Sequence, residues 1–289
     1  MISTVIAIAL GVAFMSGTFV LTDTLDRVFD DLFATANEKV ATQVQGHVLF
    51  TDPFGGDQRA LIDLSVVDTV TSVPGVARAE PYVITVGFGS TNRILDAAGE
   101  PIGATQGPPT LIESWVPDLD LSPYQIQSGR GPEADNEVAL NVAAIEEAGF
   151  ALGDTITMVN QVGRETFTLV GAVTYGTAKS SGGAVSAEVT LAQAMRIAGT
   201  DGKVQQVSAG AEPGVSEDDL TSRIAEVLPD GVEAITGTEA GAQLSNDVQS
   251  GFQFFSIILL VFGGVALLVG VFVISNTFSI LVAQRTREL

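Results

Sequence analysis

The 289-residue sequence predicts an α+β membrane protein. Two transmembrane helices with stalk extensions flank an extracytoplasmic domain of two αβ lobes and one inserted β-rich lobe. Three observations predict this. Long uncharged apolar runs lie near both ends. The residues between them are strongly acidic. A helix, Pro/Gly turn, strand pattern occurs twice, around a block rich in alternating strands. The composition fits: 46% of residues are hydrophobic but only 16% are charged, and the formal net charge is −21. That mixture is unusual for one soluble domain unless the apolar residues are concentrated. The middle stretch of roughly 200 residues is long enough to bury a core of its own.

The first apolar segment, within 1–22, reads ISTVIAIALGVAFMSGTFVL from Ile2 to Leu21 and carries no charge. About 20 such residues in a helix span the roughly 30 Å hydrocarbon core of a bilayer. A cleaved signal peptide has a basic leader and a shorter apolar region; neither is present here. The second segment, within 247–283, is uncharged from Phe252 to Val282 and centres on IILLVFGGVALLVGVFVI. Arg285 and Arg287 follow it directly. Positive flanks stay in the cytoplasm, so both termini are expected inside and the middle outside. Ser3, Ala7 and Gly11 share one helix face, as do Ala13 and Gly17, and Ala266 and Gly270. Small residues at this spacing let helix backbones approach closely.

Residues 23–44 continue with apolar positions at Leu25, Val28, Phe29, Leu32, Phe33, Ala36 and Val40. This 3.6-residue period predicts a stalk helix, with Asp23, Asp26 and Arg27 where the span becomes stalk. The first αβ lobe, 45–110, contains LSVVDTVTSVPGVARAEPYVITV (Leu64 to Val86): a helix, a Pro-Gly turn and a strand. The second, 203–246, contains a strand, a helix capped by Ser216, a Pro-Asp-Gly turn and a strand ending near Thr236. Ser216 with acidic residues in the next turn is a helix-start signal. Between them lies the β-rich lobe, 111–202. NEVAL (Asn136 to Leu140) reads as a strand and Val142 to Gly149 as a helix closed by its glycine. GDTITMV and ETFTLVGAVTY read as a hairpin turning at Gln161 to Arg164. SSGGAV after Lys179 reads as loop.

The chemistry-bearing patterns are sparse. One histidine, His47, and no cysteine leave no two-His or thiolate metal site in the chain. GAVTYGTAKS (Gly171 to Ser180) follows a strand as a phosphate loop does, but Thr177 and Ala178 stand where Lys and Ser/Thr would follow the second glycine. No EF-hand spacing is present. Thirteen Lys and Arg against 34 Asp and Glu argue against nucleic acid as a partner and against electrostatic docking on anionic lipid. The expectation is therefore no catalytic residue, no metal and no cofactor, with membrane lipid around the spans.

Four stretches resemble one family, in order along nearly the whole chain. They are ALGVAFMSGTFVLTDTL (Ala9 to Leu25), SGRGPEADNEVALNVAAIEEAGFALGDTITM (Ser128 to Met158) with FTLVGAV (Phe167 to Val173), PGVSEDDLTSRIAEVLPDGVEAITG (Pro213 to Gly237), and FVISNTFSILVAQRTREL (Phe272 to Leu289). The sequence resembles the FtsX-like permeases of MacB type, membrane subunits of ABC transporters, in an actinobacterial style. The resemblance implies that the αβ lobes are porter-like. It implies a cytoplasmic ABC ATPase subunit as partner, and further permease helices or a second permease copy. In this family ATP hydrolysis moves the stalks, and the outer domain does mechanical work on peptides, lipids, lipoproteins or cell-wall hydrolases. Gln284, Arg285, Thr286, Arg287 and Glu288, residues 284–289 with Leu289, match the start of the cytoplasmic segment that meets the ATPase. The family's later helices have no counterpart, so the chain is expected to be the N-terminal part of such a permease. From charge alone, Arg285 and Arg287 read as topology anchors. A two-span receptor or accessory protein with an outer binding domain is the alternative; a membrane-anchored enzyme would need a nucleophile with its base, or a metal cluster.

Overall fold

The computed structural model describes residues 12–20, 22–24, 27, 38–51, 56–85, 91–103 and 108–285. The chain divides into two compact units, residues 30–51 with 57–244, and residues 1–29 and 52–56 with 245–289.

In the first half of the larger unit the elements are β1 (Thr42–Gly46), β2 (Val48–Thr51), β3 (Asp57–Arg59), β4 (Ile62–Asp63), α1 (Val66–Thr71), β5 (Val76–Tyr82), β6 (Ile84–Thr85), β7 (Arg93–Leu95), β8 (Thr110–Ser114) and β9 (Tyr124–Gly129). There follow β10 (Glu137–Asn141), α2 (Val142–Ala148), β11 (Thr155–Asn160), β12 (Gly163–Tyr175), β13 (Val185–Val189), α3 (Leu191–Ala198), β14 (Lys203–Val204), β15 (Gln206–Ala211), α4 (Glu217–Ala225) and β16 (Val232–Thr236). The helix α5 (Gly237–Arg285) begins in this unit and is 49 residues long.

The two αβ repeats do not form two lobes. They interleave in one antiparallel four-stranded sheet of order β16-β1-β15-β5. Counted along the chain as β1-α1-β5 and β15-α4-β16, this is the split βαββαβ arrangement, order 4-1-3-2. Each repeat leaves a gap between its two strands, and a strand of the other repeat fills it. The reason is burial: Val44, Val207 and Ala209 on the inner strands, Val66 and Val70 of α1, and Leu220 and Ile224 of α4 are all buried in one core. Val44, expected in the stalk, is a fully buried residue of β1; a turn at Glu38 and Lys39 precedes that strand. The sheet face it packs into outweighs the helical spacing that continues up to it.

Residues 83–205 are inserted between the second and third strands of that sheet. They build a mixed eight-stranded sheet, β6-β8-β13-β10-β12-β11-β7, with β9 also pairing β12. Its members β6 and β7 come from the stretch expected in the first lobe. The 161–164 hairpin and α2, closed by Gly149 in the left-handed region (φ 70°), form as the sequence predicts. SSGGAV is a loop of bends and turns as far as Ala184, as expected, and strand β13 and helix α3, to which the sequence reading assigned no element, follow it. VSAEV is buried along its whole length, Ser186 and Glu188 included, so it shows no alternation from which to read a strand.

Within the Ser128 to Met158 stretch, Arg130, Glu137 and Asp154 serve the fold. Arg130 grips Glu137 with two parallel bonds, Nη1 to Oε2 at 2.7 Å and Nη2 to Oε1 at 2.5 Å. The backbone N–H groups of Glu133 and Ala134 also donate to Glu137. Gly131 has no room for a side chain: a Cβ there would lie 2.3 Å from the Trp115 indole. Asp154 accepts from the Ala151 N–H at 2.8 Å and closes the turn into β11.

In the smaller unit, residues 12–20 are helical, and Thr18 and Thr22 hydroxyls donate back to the carbonyls of Phe14 and Thr18. Gly263 of α5 lies against this helix: a Cβ there would be 3.6 Å from Phe14 and 3.7 Å from Met15. Among the described residues no helix is long and apolar enough to cross a membrane. Within α5 the run of described side chains is interrupted at 248–256, 259, 266, 267, 277 and 280–285.

The Arg130 fork and two backbone donors hold the Glu137 carboxyl down at about 2. A carboxyl lowered on folding stabilises fully above the ordinary value of about 4.3 and loses that contribution as pH falls toward 2. E137Q should lower the melting temperature at pH 7. It should also flatten the fall in stability between about pH 4 and 2, followed by thermal circular dichroism of the full chain in detergent.

Candidate functional site

The candidate site is where the chain enters and leaves the four-stranded sheet. The sheet is entered at Val40 to Thr42 and left at Thr236 to Gly237, on strands that pair directly. Thr42 faces Thr236 in the β1–β16 register and Ala209 in the β1–β15 register. The Gly237 N–H donates to the Ala41 carbonyl at 2.9 Å, and the Ala41 N–H donates to Ala209 at 2.9 Å. Gly237 must be glycine on steric grounds: a Cβ would sit 1.7 Å from the Val40 carbonyl oxygen.

β16 passes into α5 without a loop, and the turn is stiffened by a reciprocal cap. The Glu239 N–H donates to Thr236 Oγ1 and the Thr236 N–H donates to Glu239 Oε2, both at 3.1 Å. Such a box satisfies two backbone donors that a helix start would otherwise leave open. Side chains then tie the junction to its neighbours. Thr238 donates to Glu217 at the start of α4. Thr42 and Thr221 hydroxyls meet at 2.8 Å, joining β1 to α4. Gln45 donates to both Glu233 and Gln243 at 3.2 Å, joining β1 to β16 and to the first turns of α5. Arg59 adds an ion pair to Glu233 at 2.5 Å.

A second group of charges links this entry to the inserted segment. Lys39 pairs with Asp120, and Arg78 of β5 pairs with Asp118 at 3.3 Å and Asp120 at 2.8 Å. The Lys39 ammonium, and secondarily Arg78, hold the Asp120 carboxyl below its ordinary value, whereas burial with Asp118 nearby raises Glu80. Each exposed pair is worth little alone, though several charges sharing partners hold geometry better than one. The two crossings between the sheets are tied as well: the Gln205 amide donates to the Ile84 carbonyl at 2.8 Å and accepts from the Ile84 N–H at 3.3 Å. The Val83 N–H donates to Ser114 Oγ at 2.9 Å.

The residues singled out from the sequence lie elsewhere. Ser3, Ala7, Gly11, Asp26, Thr286, Arg287 and Glu288 are outside the described residues, and of Ala266, Gln284 and Arg285 only the backbone is described. Ala13 and Gly17 are exposed, a Cβ on Gly17 would meet nothing within 4 Å, and Gly270 is buried. Asp23 and Arg27 form an exposed ion pair at 2.8 Å. Lys179 of the phosphate-loop-like stretch is paired with Glu146 at 2.6 Å, and the His47 ring meets the Gly231 carbonyl at 3.0 Å. Sequence reading overlooked the junction because its key partners, Ala41 with Gly237 and Gln45 with Gln243, are distant in the chain. The one available signal was Thr236-x-x-Glu239, a capping box at a strand end.

A split βαββαβ sheet carrying an inserted mixed sheet, whose edge strand β16 passes directly into a long helix, defines the larger unit as an α+β domain. A family model described as the MacB-like periplasmic core domain matches residues 1–246. The chain belongs to that family, the outer domains of permease subunits of MacB/FtsX-like ABC transporters, which are not the catalytic components. Among solved structures, it is similar to the periplasmic region of MacB from Actinobacillus actinomycetemcomitans, at 10% identity and TM-score 0.49, covering 72% of this chain and 94% of that one. It is also similar to the extracellular domain of the noncanonic ABC-type transporter YknZ from Gram-positive bacteria, at 12% identity and TM-score 0.46, covering 67% and 99%. No curated protein matches.

Two glycines of the same helix start should behave oppositely. G237A forces the backbone contact apart and should destabilise by ~1–3 kcal/mol, the usual range for overpacking. At Gly241 a Cβ would meet nothing within 4 Å, so G241A should stabilise by ~0.5–1 kcal/mol. E239A should cost ~0.3–1.5 kcal/mol through loss of the cap. Denaturant titration of the full chain in detergent reads all three.

Proposed function

We propose that the chain is the membrane subunit, in its N-terminal portion, of an ABC transporter of the FtsX/MacB type. ATP hydrolysis by a cytoplasmic partner moves its helices, and the outer domain passes that movement on. The observation that carries the reading is the pairing of β1 with β16. The segment that follows the first helix and the segment that becomes α5 run side by side in one antiparallel ladder. A displacement of α5 loads that ladder directly, because β16 passes into α5 without a loop.

The membrane placement rests on apolar exposure. Phe19, Val20, Val261, Phe262, Leu268, Val271 and Phe272 are each more than half exposed. Side chains of this kind spread around a helix need lipid or other helices to cover them. The close approach at Gly263, with the small residues Gly270, Ala266, Ala13, Gly17, Ser3, Ala7 and Gly11, suits packing in lipid against this and further helices. The basic Arg285 and Arg287 support a topology with both termini in the cytoplasm. There Gln284, Arg285, Thr286, Arg287 and Glu288 begin the surface that meets the ATPase.

Chain tagged and solubilised from its own membranes should bring with it an ATPase bearing a Walker motif. Alanine at Arg285, Arg287 and Glu288 together should reduce that recovery at least tenfold while membrane insertion is unchanged; equal recovery, or no ATPase in the complex, would sink the assignment. A cross-link tests the ladder. The chain has no cysteine, and Gln43 faces Ile235 in the β1–β16 register, at a spacing that accepts a disulfide. Oxidised Q43C/I235C should lose coupled transport and regain it with reductant.

A further inference from the structure

Glu113 of β8 and Glu188 of β13 are direct register partners on neighbouring parallel strands. They are 2% and 1% exposed, and each has a buried carboxyl oxygen without a hydrogen-bond partner, Oε2 of Glu113 and Oε1 of Glu188. Two ionised carboxylates in such a place would repel one another with no water to screen them.

The groups facing the pair come from every neighbouring strand. Tyr82, at the end of β5, and Tyr124, on β9, act on Glu113, and the two glutamates act on each other. Tyr124 also bonds Ser186 Oγ at 3.0 Å, and Tyr175 of β12 packs edge-on against Tyr124 with centroids 5.3 Å apart. Across the sheet, Ile84 of β6 lies opposite Glu113 and Ala139 of β10 lies opposite Glu188. No Lys, Arg or His is among the groups acting on either carboxyl. Two buried carboxyls in direct register cannot both ionise without a large cost, and among the described residues no cation acts on them to offset a second negative charge.

The location gives the pair a mechanical meaning. Tyr82 is the last residue of the four-stranded sheet before the chain crosses to the eight-stranded one, and its ring packs with Val40, Val116 and Leu121. Ser114, the neighbour of Glu113, holds the crossing at Val83 from both sides: its N–H donates to the Val83 carbonyl at 2.8 Å and its Oγ accepts from the Val83 N–H. The return crossing, Gln205, is fastened to Ile84.

We propose that Glu113 and Glu188 form a proton-dependent latch at the neck between the two sheets, closed while they share a proton and released when both ionise. Burial, with Glu113 beside it, pushes Glu188 well above the ordinary carboxylate range, and burial raises Glu113. The sign follows. A carboxyl raised in the closed form favours closure fully below the ordinary value of about 4.3, and that preference is lost as pH rises toward the closed form's own value. Alkalinity outside the membrane therefore loosens the neck and acidity tightens it. The latch stands apart from any ATPase coupling.

The test is amide exchange in β8 and β13 of the full chain in detergent, expressed as protection factors so that intrinsic pH dependence cancels. Trp115, the one tryptophan in the chain, lies two residues from Glu113, and its N–H donates to the Val189 carbonyl at 2.7 Å. Its emission is the second readout. In the wild type, protection should fall by up to tenfold per pH unit above about pH 4.3, one proton being released on opening, and Trp115 emission should shift in step. In E188Q the amide donates permanently to Glu113, so protection and emission should stay level. E113Q/E188Q should be level too, which separates the latch from tyrosine ionisation. Flat protection in the wild type, or variants that keep the wild-type slope, overturns the proposal. The wild-type arm decides even where a variant does not fold.

Discussion

The interaction on which the rest depends is the pairing of β1 with β16. It closes the four-stranded sheet by joining the first strand of one αβ repeat to the last strand of the other, and it sets the two ends of the domain side by side. Without it β16 has no partner in the sheet. The ladder also fixes how close the backbone must come at Gly237, where the Val40 carbonyl leaves no space for a side chain. A backbone contact of this kind is stiff, because close-packed interiors deform little and transmit strain.

Around the ladder, polar side chains do what hydrophobic packing does not. Apolar burial of α1 and α4 supplies most of the stabilisation, at roughly 1.5–3 kcal/mol for each fully buried Leu, Ile or Val. It is non-directional and tolerates sliding. The capping box of Thr236 and Glu239, the Gln45 bonds and the Thr42–Thr221 contact are directional, and they set the angle at which α5 leaves the sheet. Lys39, Arg78, Asp118 and Asp120 extend the same control to the inserted segment. The larger unit thus combines a core that resists compression with oriented bonds where the chain enters and leaves it.

The neck between the sheets runs against the usual rule. Buried polar groups are normally satisfied, and buried charges are paired with opposite charges. Glu113 and Glu188 face each other in register, with Tyr82 and Tyr124 rather than a cation acting on Glu113. Such an arrangement contributes little net stability compared with apolar residues of similar size. What it adds is a state that depends on one proton, at the point where the chain twice passes from one sheet to the other.

The sequence by itself determined the apolar runs, the acidic middle, α2 with its glycine stop, the 161–164 hairpin and the capped start of α4, because each is encoded within a dozen neighbouring residues by period, turn chemistry or cap. The Ser128 to Met158 stretch carried the resemblance, without revealing that Arg130 clamps Glu137. Only the tertiary structure decided that the two repeats interleave in one sheet, since strand order is set by which faces can be buried together and leaves no local trace. β13 stayed hidden because a central strand buried on both faces, with Ser186 and Glu188 inside, loses the alternation that identifies strands. The junction of β1 with the start of α5 and the glutamate pair were hidden for the same reason: Ala41 meets Gly237, and Glu113 meets Glu188, only after long stretches of chain have folded between them.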